Sequence, residues 1–177
     1  TLLGSVGRLH RTKNCQAAIR LLVGRDWHLA LAGQGPAREE LVDFATSCGV
    51  RDRLHLVGEL SPDRIADFLG ALDAFVFPSW AETFGLAAVE AAQAGIPVVA
   101  NDLEVLREVL AIDRQPCAVL VDVEDTDAFA RAVERIVGDE IFRTKLTSKA
   151  RKLSERFSMD AMVGGYAELI QEAVTGR

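Results

Sequence analysis

Glu82 and Glu90 are the two residues of this chain whose type and spacing most plainly suit chemistry. Seven residues separate them, Thr83 to Val89, and the run continues Ala-rich and amphipathic until Gly95 closes it. That pattern predicts a helix over about 84–94, between apolar segments 74–77 and 96–100 that read as strands. Along a helix eight residues span about 12 Å, comparable with a diphosphate carrying a sugar on each side. A carboxylate can accept two hydroxyl hydrogen bonds at once, which suits a sugar diol. Between the two, unpaired amides and the positive end of a helix dipole suit an anion. Two solvated carboxylates, one favoured by the dipole, are the plainer alternative; it accounts for Glu82 better than for Glu90.

Arg8 and Lys13 lie five apart after the first strand-like run, 2–7, where two cations could grip phosphate oxygens. Taken alone, they read more readily as solvated surface cations, because basic residues on loops are common. Gly33-Gln34-Gly35 begins like a dinucleotide fingerprint, but Arg38 stands where the third glycine belongs and the segment follows the second strand. It is better read as a sharp turn that brings the backbone close to a ligand or a neighbouring loop. Neither GxxxxGK nor GxSxG occurs. His10, His28 and His55 have no partners at metal-ligand spacing and are assigned core or loop roles. Trp80, two residues before Glu82, suits either a pocket wall or simple packing.

These residues need elements to hold them. Strands are expected at 2–7, 27–32, 54–57, 74–77, 97–100 and 118–121. Helices are expected at about 14–23, 36–48, 61–72, 84–94 and 103–110, then from Thr126 to about Val174 with breaks near Gly138 and Ser158. Strands alternating with helices define an α/β fold, a Rossmann-like doubly wound sheet of six mainly parallel strands with helices on both faces. Ligands of such sheets bind beyond the carboxyl ends of the strands. Arg8, Lys13, Gly33, Gly35, Gly58, Glu59, Ser79, Glu82 and Gly85 all follow strands.

At 177 residues and 49% apolar content, one domain with a full core is expected. A net charge of −6 without a long basic run argues against a nucleic-acid partner. Three cysteines without CxxC spacing fit a reducing cytoplasm. No apolar run approaches the roughly 20 residues of a membrane span. The chain begins at Thr1 inside a strand-like run, which raises the expectation of a piece cut from a longer protein.

Taken together, Val6-Gly7-Arg8-Leu9 with Lys13, Gly33-Gln34-Gly35-Pro36, Val57-Gly58, Pro78-Ser79 through Glu82, Phe84-Gly85-Leu86, Glu90 and Gly95 to Ala100 resemble the donor-binding domain of the retaining GT-B glycosyltransferases called group 1. The similarity runs over the whole chain, and its most specific part is the Glu pair in its strand and helix context. It departs from the family where 101–108 lacks a glycine pair and where Cys117 stands in place of a frequent glycine. The resemblance implies one domain, 1–177, with a helical tail from about 139 and with the amino-terminal acceptor-binding domain absent. It implies a nucleotide-diphosphate-sugar donor, hexosyl transfer with retention, no cofactor and no obligatory metal. Arg8 and Lys13 would then neutralise the diphosphate, and Glu82 would contact the donor sugar. Gly58, Glu59 and Leu60 would meet the base. Ser79, Thr83, Phe84, Gly85 and Leu86 would surround the phosphates, and Glu90 would hold the ribose.

In full-length relatives the last helix, with Met162, Tyr166, Leu169 and Ile170 at helical spacing, packs across the domain junction; alone it leaves an apolar patch. Peripheral membrane association stays open for a full-length protein. Two other classes compete: a non-catalytic nucleotide-binding module on the same fold, and a GT-B-like nucleotide-sugar epimerase.

Overall fold

A computed structural model describes residues 1–176; Arg177, the last residue of the expected domain, lies outside it. In chain order the elements are β1 (Leu2–Val6), α1 (Cys15–Arg20), β2 (His28–Ala32), α2 (Arg38–Ser47), β3 (Leu54–Gly58), α3 (Pro62–Gly70), β4 (Ala74–Phe77) and α4 (Leu86–Gln93). There follow β5 (Val98–Asn101), α5 (Glu104–Val109), β6 (Ala111–Ile112), β7 (Gln115–Pro116), β8 (Val119–Val121), α6 (Thr126–Gly138), α7 (Glu140–Ala150), α8 (Leu153–Arg156) and α9 (Met159–Thr175). Six strands form one sheet in the order β3-β2-β1-β4-β5-β8, every neighbouring pair parallel. The order reverses between β1 and β4, which is the topological switch point where such sheets open a crevice.

Period-two alternation along the central strands builds two cores. Ala74 and Val76 face one side with Leu3, Leu29, Leu31 and Val99, covered by α1, α2 and α6. Phe75 and Phe77 face the other with Val98 and Ala100, covered by α3, α4, α5 and α8. A strand buried on both faces reads as a continuous apolar run, as 74–77 does. Helices thus cover both faces, as expected.

Several boundaries move for local reasons. Gly85 adopts φ +86 and stands as the residue before α4, so the helix opens at Leu86 rather than Phe84. The helix between Glu82 and Glu90 is therefore shorter than expected: Leu86 to Glu90 is only about 6 Å of axial rise, and the remainder is loop. Pro36 does not begin α2, which starts at Arg38 after a turn. A short antiparallel hairpin, β6-β7, was not expected; Asp113 (φ 50) and Arg114 (φ 60) make its left-handed two-residue turn without the Asn-Gly or Asp-Gly that would signal it. The helical tail breaks at Gly138 and Ser158 as expected, and again at Arg151–Lys152 between α7 and α8. The departures at 101–108 are absorbed by α5 and a two-pronged Arg107–Asp102 pair, both contacts 2.6 Å, which holds the Asp102 carboxyl below its usual range. Cys117 is buried, and burial raises its thiol pKa.

The glycines after β2 serve a neighbouring loop. A methyl group on Gly33 would lie 1.9 Å from the Gly7 carbonyl oxygen and one on Gly35 would lie 2.2 Å from that of Leu9. The amide of Leu9 donates to Gln34 O at 2.9 Å, and that of Ala37 to Leu9 O at 3.0 Å. The 33–37 turn is thus a brace that holds the Arg8 loop at the carboxyl end of β1. Gly35→Ala should separate the two loops and cost about 1–3 kcal/mol. A Tm lowered by roughly 3–10 °C in a thermal melt is the expected result; an unchanged Tm would show that the close approach is dispensable.

Candidate functional site

The loop after β1 and the loop after β4 flank the switch point, and side chains join them. Lys13 Nζ donates to Glu82 Oε1 at 2.5 Å, with the two side chains 29% and 10% exposed. The Lys13 ammonium also lies 5.7 Å from the centre of the Phe77 ring, at the end of β4. The backbone repeats the link, since Trp80 N donates to Thr12 O at 2.9 Å. Asn101, at the end of β5, donates from Nδ2 to Ser79 O at 2.9 Å. A pair this withdrawn from water differs from a solvated surface contact, because a lone Glu82 would keep its desolvation without its counter-charge.

Ser79 is buried, and its hydroxyl has no hydrogen-bond partner among the described residues. With Arg8, Lys13, Cys15 and Phe77 it lines a cavity of about 10 Å³ beneath the loops. Burial pushes the Cys15 thiol up from 9.0 to about 11, so it is a neutral packing group at physiological pH. Arg8 is exposed and also walls a wider crevice of about 410 Å³ with Gly33, Gln34, Glu59 and Leu60. Gly58, with φ +85, bonds through its carbonyl to Gly33 N at 2.7 Å and turns the chain into that crevice.

At α4, the amides of Leu86 and Ala87 open the helix without intrahelical acceptors, whereas Ala88 N and Val89 N bond to Gly85 O. A side chain on Gly85 would meet Leu106 at 2.6 Å, so the close packing of this turn excludes one. Phe84 packs edge-on against Phe157, ring centres 5.2 Å apart, which fixes the approach to α4. Thr83, between Glu82 and Phe84 in sequence, is exposed. Glu90 is exposed on the second turn of α4, as expected, but shares a groove of about 520 Å³ with Phe84, Leu86, Phe157 and Met162 along the start of α9. The structure therefore gathers Arg8, Lys13, Ser79 and Glu82 at the switch point, and Arg8, Glu59 and Leu60 in the crevice beside it. It leaves Leu86 and Glu90 on an adjoining open groove. A separate cavity of about 700 Å³ at the β8 edge, lined by Arg114, Arg135, Lys145 and Lys149 among others, holds none of the expected site residues.

The histidines correct the expectation of core or loop roles in part. His28 and His55 are exposed strand residues, their rings stacked at 5.2 Å and their nitrogens 3.0 Å apart. His10 does sit on a loop, where its ring nitrogen accepts from Thr12 N at 3.3 Å. Among the described residues no group of three or more His, Cys, Asp or Glu could hold a metal ion. Trp80 is exposed and donates from its indole to Glu124 Oε1 at 2.7 Å. Glu124 and its second partner Asn14 were not singled out by sequence, because no local pattern signals a contact between residues 110 positions apart.

A parallel doubly wound sheet with cations, a carboxylate and an open helix N-terminus beside its switch point is a Rossmann-like domain. The chain belongs to the glycosyl transferases group 1 family, whose sequence profile matches residues 1–153. It is similar to a D-inositol 3-phosphate glycosyltransferase from Xylanimonas cellulosilytica, 36% identical over 82% of this chain and 34% of that protein. It is also similar to a lipopolysaccharide core biosynthesis glycosyltransferase from Rhizobium meliloti, 33% identical over 81% of this chain and 41% of the relative. The chain thus spans about a third to two fifths of the length of these relatives.

Its fold is similar to that of a sucrose-phosphate synthase from Thermosynechococcus elongatus, with a TM-score of 0.86 at 24% identity over 99% of this chain and 46% of the other. HepE from Anabaena, solved in complex with UDP-glucose, gives 0.85 at 23% identity over 97% and 48%. No helix among the described residues is long and apolar enough to cross a membrane.

If Lys13 and Glu82 couple the two loops, their substitutions will not add. A double-mutant cycle with Lys13→Ala and Glu82→Gln, read by urea unfolding, should give a coupling of about 1–2 kcal/mol. Additive effects would mean that the contact contributes nothing to stability.

Proposed function

We propose that this chain is the donor-binding half of a retaining glycosyltransferase, which binds a nucleotide-diphosphate-sugar while a further, amino-terminal domain holds the acceptor. The observation that carries the proposal is the Lys13–Glu82 contact across the switch point, beside the open amides of α4. A diphosphate brought there competes with Glu82 for the Lys13 ammonium. As Lys13 turns to the phosphate, Glu82 is released to accept hydroxyls of the donor sugar. Arg8 adds a second cation from the crevice side, and the Leu86 amide donates from the helix end. Gly58, Glu59 and Leu60 meet the base and Glu90 takes the ribose diol, with Ser79, Thr83, Phe84 and Gly85 shaping the wall between.

In transfer, the bond from the anomeric carbon to the β-phosphate oxygen breaks and the oxygen keeps the electron pair. Arg8, Lys13 and the helix amides stabilise the resulting charge, so the site supplies by itself the positive charge that a metal would otherwise bring. The acceptor hydroxyl joins the face that the leaving group vacates, and its proton passes to the departing β-phosphate oxygen. The free thiols of Cys15, Cys48 and Cys117 accord with a cytoplasmic location.

Calorimetric titration of the chain with UDP, GDP and ADP tests the site. One of them should bind weakly, Lys13→Ala should weaken that binding about tenfold (about 1.4 kcal/mol) and lower its salt sensitivity, and Glu90→Ala should abolish the preference for ribose over deoxyribose. No binding at millimolar nucleotide, or two variants that bind like the parent, would refute the assignment. The chain alone should transfer no sugar, and robust turnover by it would contradict the two-domain proposal.

A further inference from the structure

Asn14 occupies the N-cap position of α1, where an asparagine ordinarily accepts an amide hydrogen bond from its own helix. It makes no such bond. Its side chain instead reaches 110 residues along the sequence and donates from Nδ2 to Glu124 Oε1 at 2.9 Å. The same oxygen accepts the Trp80 indole N–H at 2.7 Å. One carboxylate oxygen therefore holds the residue that follows Lys13 and a residue two positions before Glu82.

Glu124 and Trp80 are exposed, but the segments around them are anchored. Asn14 is buried, so its side chain has little freedom to look for another partner. The Glu124 amide donates to Asp122 Oδ1 at 2.9 Å, Val123 is buried, and Asp125 caps α6 through Ala128 N at 2.9 Å. The loop between β8 and α6 is thus anchored on both sides of Glu124. On the far side of the contact, Trp80 N is bonded to Thr12 O. Without Glu124, the hydrogen bonds joining the cation loop and the carboxylate loop among the described residues would be that one backbone bond and the Lys13–Glu82 contact, which a diphosphate has to open.

We propose that Glu124 is a positioning residue of the donor site: it keeps the Lys13 loop and the Glu82 loop in register when the ligand parts Lys13 from Glu82. The proposal rests on the donor-site function above. Its chemistry is that of an acceptor with two donors, not that of a charge facing the ligand. These two roles differ in sign, because a carboxylate acting on a diphosphate only by its charge would repel it, and its removal would tighten binding.

The chain has two tryptophans, Trp27 and Trp80, so an 1H–15N spectrum shows two indole N–H signals, assigned with Trp80→Phe. Glu124→Ala should shift the Trp80 indole signal and speed its exchange with solvent, leaving Trp27, which is buried, in place. The same variant should weaken binding of whichever of UDP, GDP and ADP the parent binds best by about fivefold to tenfold. Glu124→Gln, which keeps an oxygen acceptor but loses the charge, should stay within about threefold of the parent. An unmoved indole signal in Glu124→Ala overturns the proposal, as does unchanged or tightened nucleotide binding. If the parent binds none of the three nucleotides, the donor-site function fails, and with it the ligand role of Glu124. The indole signal then still decides whether the tether exists.

Discussion

A single ion pair across the place where strand order reverses organises the functional face of this protein. Lys13 and Glu82 belong to loops after β1 and β4, neighbours in the sheet but 69 positions apart in sequence. Their contact places a cation and a carboxylate side by side in a largely buried position, with the opening of α4 next to them. Such a pair is costly to leave half-made and straightforward to exchange, because an incoming anion can satisfy the ammonium while hydroxyls satisfy the carboxylate. On the proposed function, the pair is stable without a ligand and exchanges for one.

The rest of the fold holds these two loops at a fixed distance. Strands β1 and β4 are buried between two apolar layers, so neither can slip by one residue without exchanging its entire facing set. The 33–37 turn, whose glycines leave no room for side chains, braces the Arg8 loop from one side. From the other, Asn101 and Glu124 reach the β4 loop and the start of α1 from β5 and from the loop after β8. Four consecutive strands of the sheet, β1, β4, β5 and β8, thus contribute to one small region at their carboxyl ends. At the other end of the chain, α9 leaves Met162, Tyr166, Leu169 and Ile170 more than half exposed. This matches the expected apolar patch.

Much of this was legible in sequence because the signals are local. Uninterrupted apolar runs at 74–77 and 96–100, each followed by a polar turn, mark central parallel strands. Arg8, Lys13 and Glu82 stand out in sequence because each follows a strand-like run. What failed to show depended on backbone angles or on distant partners. Gly85 read as part of a helix, and only its positive φ reveals that it stands before one. The β6-β7 hairpin turns on Asp113-Arg114, a pair without a turn signature. The histidines of β2 and β3 read as interior because their strands do, but β3 is an edge strand and His28 opens β2, so water reaches both. Glu124 looks in sequence like any acidic residue before a helix, and only the fold brings Asn14 and Trp80 to it.

The central claim is that a nucleoside diphosphate binds where Lys13 meets Glu82. A crystal structure of the chain with the best-binding nucleoside diphosphate tests it most directly. The account predicts a phosphate oxygen within hydrogen-bonding distance of Lys13 Nζ and of the Leu86 amide, with the Lys13–Glu82 contact opened. A nucleotide seated instead in the basic cavity at the β8 edge, among Arg114, Arg135 and Lys145, with Lys13 still on Glu82, would contradict it.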